Sequence, residues 1–113
     1  MNFYVATKWE DRGSAKVLMD ALVKRGHHIT YDWTVQEQEL PQQAIADLQG
    51  VFSADYLVVL AEHHRPYRGV YVELGAALAC GRPVLLVGDG LDECLFIRHP
   101  LVSKVALKHI HSL

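Results

Sequence analysis

Two carboxylates stand where apolar side chains are expected. The run "RGVYVELGAALACGRPVLLVG", residues 68–88, places Glu73 between stretches that read as buried helix and buried strand. Its flanks Val70, Tyr71, Val72 and Leu74 argue against a merely solvated side chain. The spacing puts Glu73 in about the first turn of a helix, where unpaired backbone N–H groups and the helix dipole favour the ionised form by ~0.3–1 kcal/mol. Gly69 and Gly75 on either side carry no side chain, so another molecule or backbone has room to approach. Asp47 lies three residues after Ala44 and four before Val51, in line with an apolar helical stripe rather than opposite it. A charge on that border needs a partner or a task. An ionised carboxylate is a nucleophile or base, and a protonated one is an acid. Each also has a plain structural alternative: Glu73 as a first-turn acid for its own helix, and Asp47 reaching solvent from the edge of its stripe.

The elements that must position them follow from periodicity. The runs "NFYVA" (2–6), "HITYDW" (28–33), "DYLVVL" (55–60) and "PVLLVG" (83–88) are short, apolar and rich in β-branched and aromatic residues, which predicts strands. Between them, Val17, Leu18, Ala21 and Leu22 form one face of a helix that Gly26 is placed to end. Pro41 suits the first turn of a second helix with apolar positions Ala44, Ile45, Leu48, Val51 and Phe52. A third helix runs from about Gly69 to Cys80 and stops at Gly81, before Pro83. "CLFI" (94–97) is a candidate fifth strand, and the tail from 99 to 113 suits a last strand or a short helix. Strands alternating with helices imply right-handed crossovers and a parallel sheet covered on both faces. The expectation is one α/β domain over residues 1–113, a flavodoxin-like or Rossmann-like three-layer sandwich with a parallel sheet of four to five strands. In such sheets ligands bind beyond the carboxyl ends of the strands, which singles out the loops "TKWEDRGS", "TVQEQEL", "AEHHRPYRG" and "GDGLDE".

Composition narrows the classes. With 113 residues, 50% of them hydrophobic, the chain suits one core and not two. Its 11 basic and 13 acidic residues form no block of like charge, so neither a nucleic-acid polymer nor an anionic membrane is an expected partner. The N-terminus lacks a leader pattern and no apolar run approaches the ~20 residues that span a bilayer, which predicts a soluble, cytoplasmic protein. Cys80 and Cys94 are not spaced as CxxC and read as reduced thiols. The seven histidines include the pairs His27-His28 and His63-His64, but none shows zinc-ligand spacing, so no metal and no cofactor is expected. His63 and His64 do fall at the ligand edge.

Taken together, "FYVA", "DLQGVFSADYLVVL" and "GVYVELGAALACGRPVLLV" resemble the nucleoside 2-deoxyribosyltransferase family and its relatives, the deoxynucleoside-monophosphate N-glycosidases. The resemblance runs over roughly three quarters of the chain. It implies that Tyr4 lines a sugar site, carries Asp47 and Asp55 into the family's acidic positions, and makes Glu73 the nucleophile. An ionised Glu73 would then attack the anomeric carbon of a 2-deoxyribosyl group, and a protonated Asp47 would donate to the departing base or hold it. Transfer to another base makes a transferase, and transfer to water a hydrolase. The implied partner is a small-molecule nucleoside or nucleotide, and the implied assembly a homodimer or larger oligomer, with the small-residue helix "GAALACG" suited to close packing.

The chain departs from the family pattern six residues before Glu73, where an Asp or Ser is common and Tyr67 stands instead, followed by Arg68. The first loop lacks a glycine-rich form, yet Thr7 and Lys8 fall at the ligand edge, and Lys8, Arg12 and Ser14 are candidates to hold a 5′-phosphate at a helix N-terminus. Substrate contacts are therefore expected from Tyr4, Thr7, Lys8, Tyr67 and Gly69. The alternative is a nucleotide-binding module that kept the fold without turnover. A phosphoacceptor receiver domain is set aside, because Thr7-Lys8 and Leu60-Ala61 occupy the places where it needs acids.

Overall fold

A computed structural model describes residues 1–35, 40–63 and 66–113. Five parallel strands form one sheet in the order β2-β1-β3-β4-β5: β1 (Asn2–Ala6), β2 (His28–Ile29), β3 (Tyr56–Leu60), β4 (Val84–Val87) and β5 (Val102–Lys104). The helices between them are α1 (Arg12–Lys24), α2 (Leu40–Ser53) and α3 (Arg68–Ala79), with a short α4 (Leu107–His111) at the end. The path steps one way from β1 to β2 and then reverses toward β3, β4 and β5. With right-handed crossovers, that reversal puts α1 on one face and α2 and α3 on the other. Accordingly α1 packs with α4, and α2 packs with α3. The result is the three-layer α/β fold expected from the sequence.

The central strands read as continuous apolar runs because both faces are covered: Phe3–Ala6 and Leu57–Leu60 are buried throughout. Gly26 ends α1 as expected, with φ +90°. Gly88, at φ +91°, has a different reason. A Cβ there would lie 2.5 Å from the Ala61 carbonyl oxygen, the same oxygen that accepts a 2.7 Å bond from the Gly90 N–H. The loops after β3 and β4 therefore touch backbone to backbone.

Three expectations are corrected. The second strand, expected over 28–33, pairs only through His28 and Ile29. Beyond them the ladder gives way to a Thr30 N–H bond to the Phe3 carbonyl (3.0 Å) and a Trp33 indole N–H bond to the Val5 carbonyl (2.6 Å). "CLFI" is no strand: Leu95–Arg98 forms a 3-10 turn whose Leu95 and Phe96 face outward, so the run has no covered face, and the fifth strand lies in the tail. Finally, the apolar stripe of α2 is not a core stripe. Only Gly50 and Val51 of that helix are buried, whereas Ile45, Leu48 and Phe52 are exposed; on α1, Val17 is exposed too.

Gly88→Ala tests the loop contact. It forces a left-handed backbone and a side chain into a carbonyl, so stability should drop by at least roughly 1–3 kcal/mol in urea unfolding. An unchanged midpoint would show that the two loops separate freely.

Candidate active site

Tyr4 is the anchor. It lies on β1 opposite Leu57 of β3 and is fully buried. Its ring fits because α2 carries Gly50 at the crossing: a Cβ there would lie 2.7 Å from the tyrosine Cδ2. Three residues earlier on α2, Asp47 faces the same way. On α3 the inward positions are Val70, Leu74 and Ala77, all buried, and Glu73 falls within that stripe. The Tyr4 hydroxyl donates to Glu73 Oε2 at 2.5 Å, joining residues 69 apart in the chain. The structure thus brings together Tyr4, Asp47 and Glu73 from β1, α2 and α3.

Electrostatics at this cluster are set by burial. Burial raises the Glu73 carboxyl to about 7; the Tyr4 hydrogen bond opposes the rise and the Asp47 charge adds to it. The expected stabilisation of ionised Glu73 by its helix terminus is therefore corrected. Glu73 is the sixth residue of α3, past the first turn, and it faces the core, where desolvation of the charge outweighs the dipole. Asp47 is also raised, by its own burial, against a Tyr4 hydrogen bond that lowers it. Its Oδ1 is buried without a hydrogen-bond partner among the described residues. Tyr4 itself is driven far above its usual range by burial and by the adjacent Glu73 and Asp47 charges, so it stays a protonated donor. The arrangement is a pair of carboxyls sharing one hydroxyl, with Glu73 able to exist in either charge state near neutrality.

A second group sits at the ends of β1 and β3. Thr7 donates to the Leu60 carbonyl at 2.7 Å, so its hydroxyl proton ties the two strand ends together. Lys8 is buried, with Nζ 3.4 Å from Asp11 Oδ2 and 4.9 Å from the centre of the Tyr67 ring. Asp11 also pairs with His63 Nδ1 at 3.1 Å; burial pushes its carboxyl up, but the bonds to His63 and Lys8 outweigh this and leave it below its usual range. Tyr67 is buried and its hydroxyl accepts from the His63 backbone N–H at 3.1 Å. Lys8 faces an opening of about 350 Å³ lined also by Glu10, Pro66 and Arg68. Gly69 is exposed, with open space where a Cβ would be.

Thr7, Lys8, Tyr67 and Gly69 thus lie beyond the carboxyl ends of β1 and β3, with no hydrogen bond joining them to Tyr4, Asp47 or Glu73 among the described residues. Arg12 is engaged elsewhere: its guanidinium bonds the Trp9 carbonyl at 3.1 Å and lies 4.4 Å from the Trp9 ring centre. Asp55 is structural, accepting the Asn2 N–H at 2.7 Å where β1 begins. His64 lies outside the described residues. Two partners were not singled out from sequence. Tyr31 touches Gly50 and feels the Asp47 charge, and Asp11 is the hub of the second group. Asp11 was legible in principle as an acid at the start of α1, whereas nothing local marks Tyr31.

No protein-family profile and no curated protein sequence matches the chain. Solved structures do match in fold. The CMP N-glycosidase BcmB of Clostridium botulinum superposes with a TM-score of 0.73 at 14% identity, over 99% of this chain and 96% of that one. A conserved protein from Enterococcus faecalis superposes with a TM-score of 0.59 at 17% identity, over 99% of this chain and 84% of that one. At such identities the likeness is one of fold.

The Glu73 shift has a stability consequence with a definite sign. Its carboxyl rises from an ordinary 4.5 to about 7 in the folded chain. Between those values the folded state holds a proton that the unfolded chain has lost. Stability therefore declines as pH rises from about 4.5 to about 7 and levels off above, by at most roughly 3 kcal/mol. Glu73→Gln should flatten this slope, seen as a smaller difference between urea midpoints at pH 5 and pH 8. An equal slope in wild type and variant would mean that Glu73 is not desolvated.

Proposed function

We propose that this protein cleaves the N-glycosidic bond of a nucleoside or nucleotide, with Glu73 as nucleophile. The observation that carries the reading is the Tyr4–Glu73 hydrogen bond beside Asp47, at the ligand edge of a fold shared with a CMP N-glycosidase. In its ionised form Glu73 attacks the anomeric carbon as the bond to the base lengthens, through an oxocarbenium-like transition state. A carboxylate with a raised pKa is a stronger nucleophile than an exposed one, and near neutrality a substantial fraction is ionised. Tyr4 fixes which carboxylate oxygen is free to attack. Asp47, held toward its protonated form by burial, donates to the departing base. The glycosyl-enzyme ester is then resolved by a second base, regenerating a nucleoside, or by water. A 2-deoxyribosyl group is the sugar favoured by the resemblance in sequence, and Lys8 with the open backbone at Gly69 is suited to the 5′ end of the substrate. The setting that fits is a cytoplasmic enzyme of nucleotide metabolism acting on small molecules, working as a homo-oligomer, with no cofactor.

One observation favours a second reading, a nucleotide-binding module without turnover. Tyr67, where the resembling family commonly has an Asp or Ser, is buried and its hydroxyl is used by the His63 backbone. That residue supports the scaffold and offers the substrate little.

The readings separate in one assay. Deoxynucleosides, deoxynucleoside 5′-monophosphates and ribonucleosides are incubated with the protein, with and without an acceptor base, and free base is followed by chromatography. Wild type should release base. Glu73→Ala should fold and lose at least roughly a thousandfold in rate, since truncation removes the nucleophile. Asp47→Ala should lose roughly 10²–10⁴-fold, with little change in melting temperature. Base release by Glu73→Ala at the wild-type rate refutes the assignment. No release from any substrate, with a melting temperature raised by a nucleotide, establishes the binding module instead.

A further inference from the structure

The chain that follows β2 is held residue by residue. Thr30 donates through its hydroxyl to the Gly50 carbonyl at 2.7 Å and through its backbone N–H to the Phe3 carbonyl at 3.0 Å. Asp32 accepts from Lys16 of α1 at 2.7 Å and from the Thr34 N–H at 3.0 Å. Trp33 follows with its indole bond to Val5. Tyr31 stands between the first two anchors, so the direction of its side chain is fixed. That direction brings it against α2: a Cβ on Gly50 would lie 3.0 Å from Tyr31 Cβ and 2.7 Å from Tyr4 Cδ2. The helix therefore passes Gly50 between two tyrosines. Asp47 lies one turn earlier on the same face, and its charge reaches both. Burial, then the Asp47 and Asp32 charges, push the Tyr31 phenol up, so it stays protonated and neutral.

We propose that the Tyr31 ring is the platform on which the base of the substrate lies beside Asp47, which makes Tyr31 a base-binding residue of the site. That the base departs from this place rests on the proposed function; that a base lies there does not. A base within reach of the Asp47 acid is planar and aromatic, and a ring face is the surface that matches it. Among the described residues, Tyr4, Glu73 and Tyr31 are the groups that feel the Asp47 charge. Tyr4 is fully buried and bonds Glu73, the nucleophile of the proposed reaction. Tyr31 is half-buried, so part of its side chain is open at the surface. It stands two residues past Ile29, beyond the carboxyl end of β2, where ligands bind in such sheets. Asp47 Oδ1, buried and without a hydrogen-bond partner among the described residues, supplies the polar group that a base on this platform would meet. A ring already fixed by its neighbours loses little freedom when a base stacks on it.

Two substitutions separate the ring from the hydroxyl. Tyr31→Leu keeps an apolar side chain against Gly50 and removes the ring, whereas Tyr31→Phe keeps the ring and removes the hydroxyl. On a substrate from which wild type releases base, Tyr31→Leu should raise KM roughly 5–150-fold, the worth of one stacked base, with a smaller change in kcat. Tyr31→Phe should stay within about twofold of wild type in both constants, since the stacking face remains. Both changes are also made in Glu73→Gln, which lacks the nucleophile, and titrated by calorimetry with deoxyadenosine and deoxycytidine 5′-monophosphates; Kd should follow the pattern of KM. Where Tyr31→Leu melts without a cooperative transition, Tyr31→Met takes its place. If base is released and Tyr31→Leu matches wild type in KM and Kd, the proposed function stands and the platform falls. If Tyr31→Phe is impaired as much as Tyr31→Leu, the contact is the hydroxyl and the platform falls again. If no base is released yet nucleotide binding weakens in Tyr31→Leu and not in Tyr31→Phe, the platform stands and the proposed reaction falls. Absence of both release and binding overturns both.

Discussion

A carboxyl group buried in a helix–helix seam must be given a donor, and here the donor comes from the middle of the sheet. The Tyr4–Glu73 hydrogen bond is the constraint on which the rest of the α2–α3 layer depends. Tyr4 cannot move, because its strand is paired on both sides and its ring is closed in by Gly50. Glu73, half-buried, loses its donor if it turns away, a bond worth roughly 1.5–3 kcal/mol when the carboxyl is charged. The rotation of α3 about its axis, and hence which of its residues face outward, is set by this one contact together with Val70, Leu74 and Ala77.

The same economy explains the ligand edge. The hydroxyl of Thr7 ties the end of β1 to β3, and the backbone contacts of Gly88 and Gly90 with Ala61 tie the loop after β4 to that after β3. Lys8, Asp11, His63 and Tyr67 then form a closed set in which each charge or hydroxyl has a neighbour. The carboxylate cluster is satisfied only in part. Asp47 Oδ1 is buried without a donor among the described residues, and Glu73 is poised between charge states. Lys8 Nζ and His27 Nε2 are likewise buried without a hydrogen-bond partner among the described residues; what sets the cluster apart is that its unpaired atom belongs to one of two neighbouring carboxyls with raised pKa values.

Much of this was legible from residue types. Strands buried on both faces announce themselves as unbroken apolar runs, so β1, β3 and β4 were placed within a residue or so, and the alternation with helices determined the layers. Glu73 and Asp47 stood out because charges rarely occupy apolar stripes. What sequence could not give was direction. The stripe of α2 was periodic, but periodicity says only that one side is apolar; it does not say whether that side meets the sheet or the exterior. Tyr4 entered through family resemblance alone, since its hydroxyl meets a partner 69 residues away and no local pattern encodes that contact. Glu73 lies one turn past the helix terminus, enough to exchange a terminal amide environment for a desolvated one.

Strand order has a consequence for biosynthesis. Of the five strands the earliest in chain order, β1, lies inside the sheet, and its partner on one side, β3, pairs Phe3 with Tyr56. At roughly 5–20 residues per second, an apolar segment made first waits several seconds for the strand that covers it. In that interval α1, the two-residue β2 and α2 are made, so helices for both faces of β1 precede its neighbouring strand. Asp47 on α2 is thus made before the strand that completes the pairing of β1, and its neighbour Glu73 on α3 only after it, so the carboxylate cluster closes across the newly paired sheet.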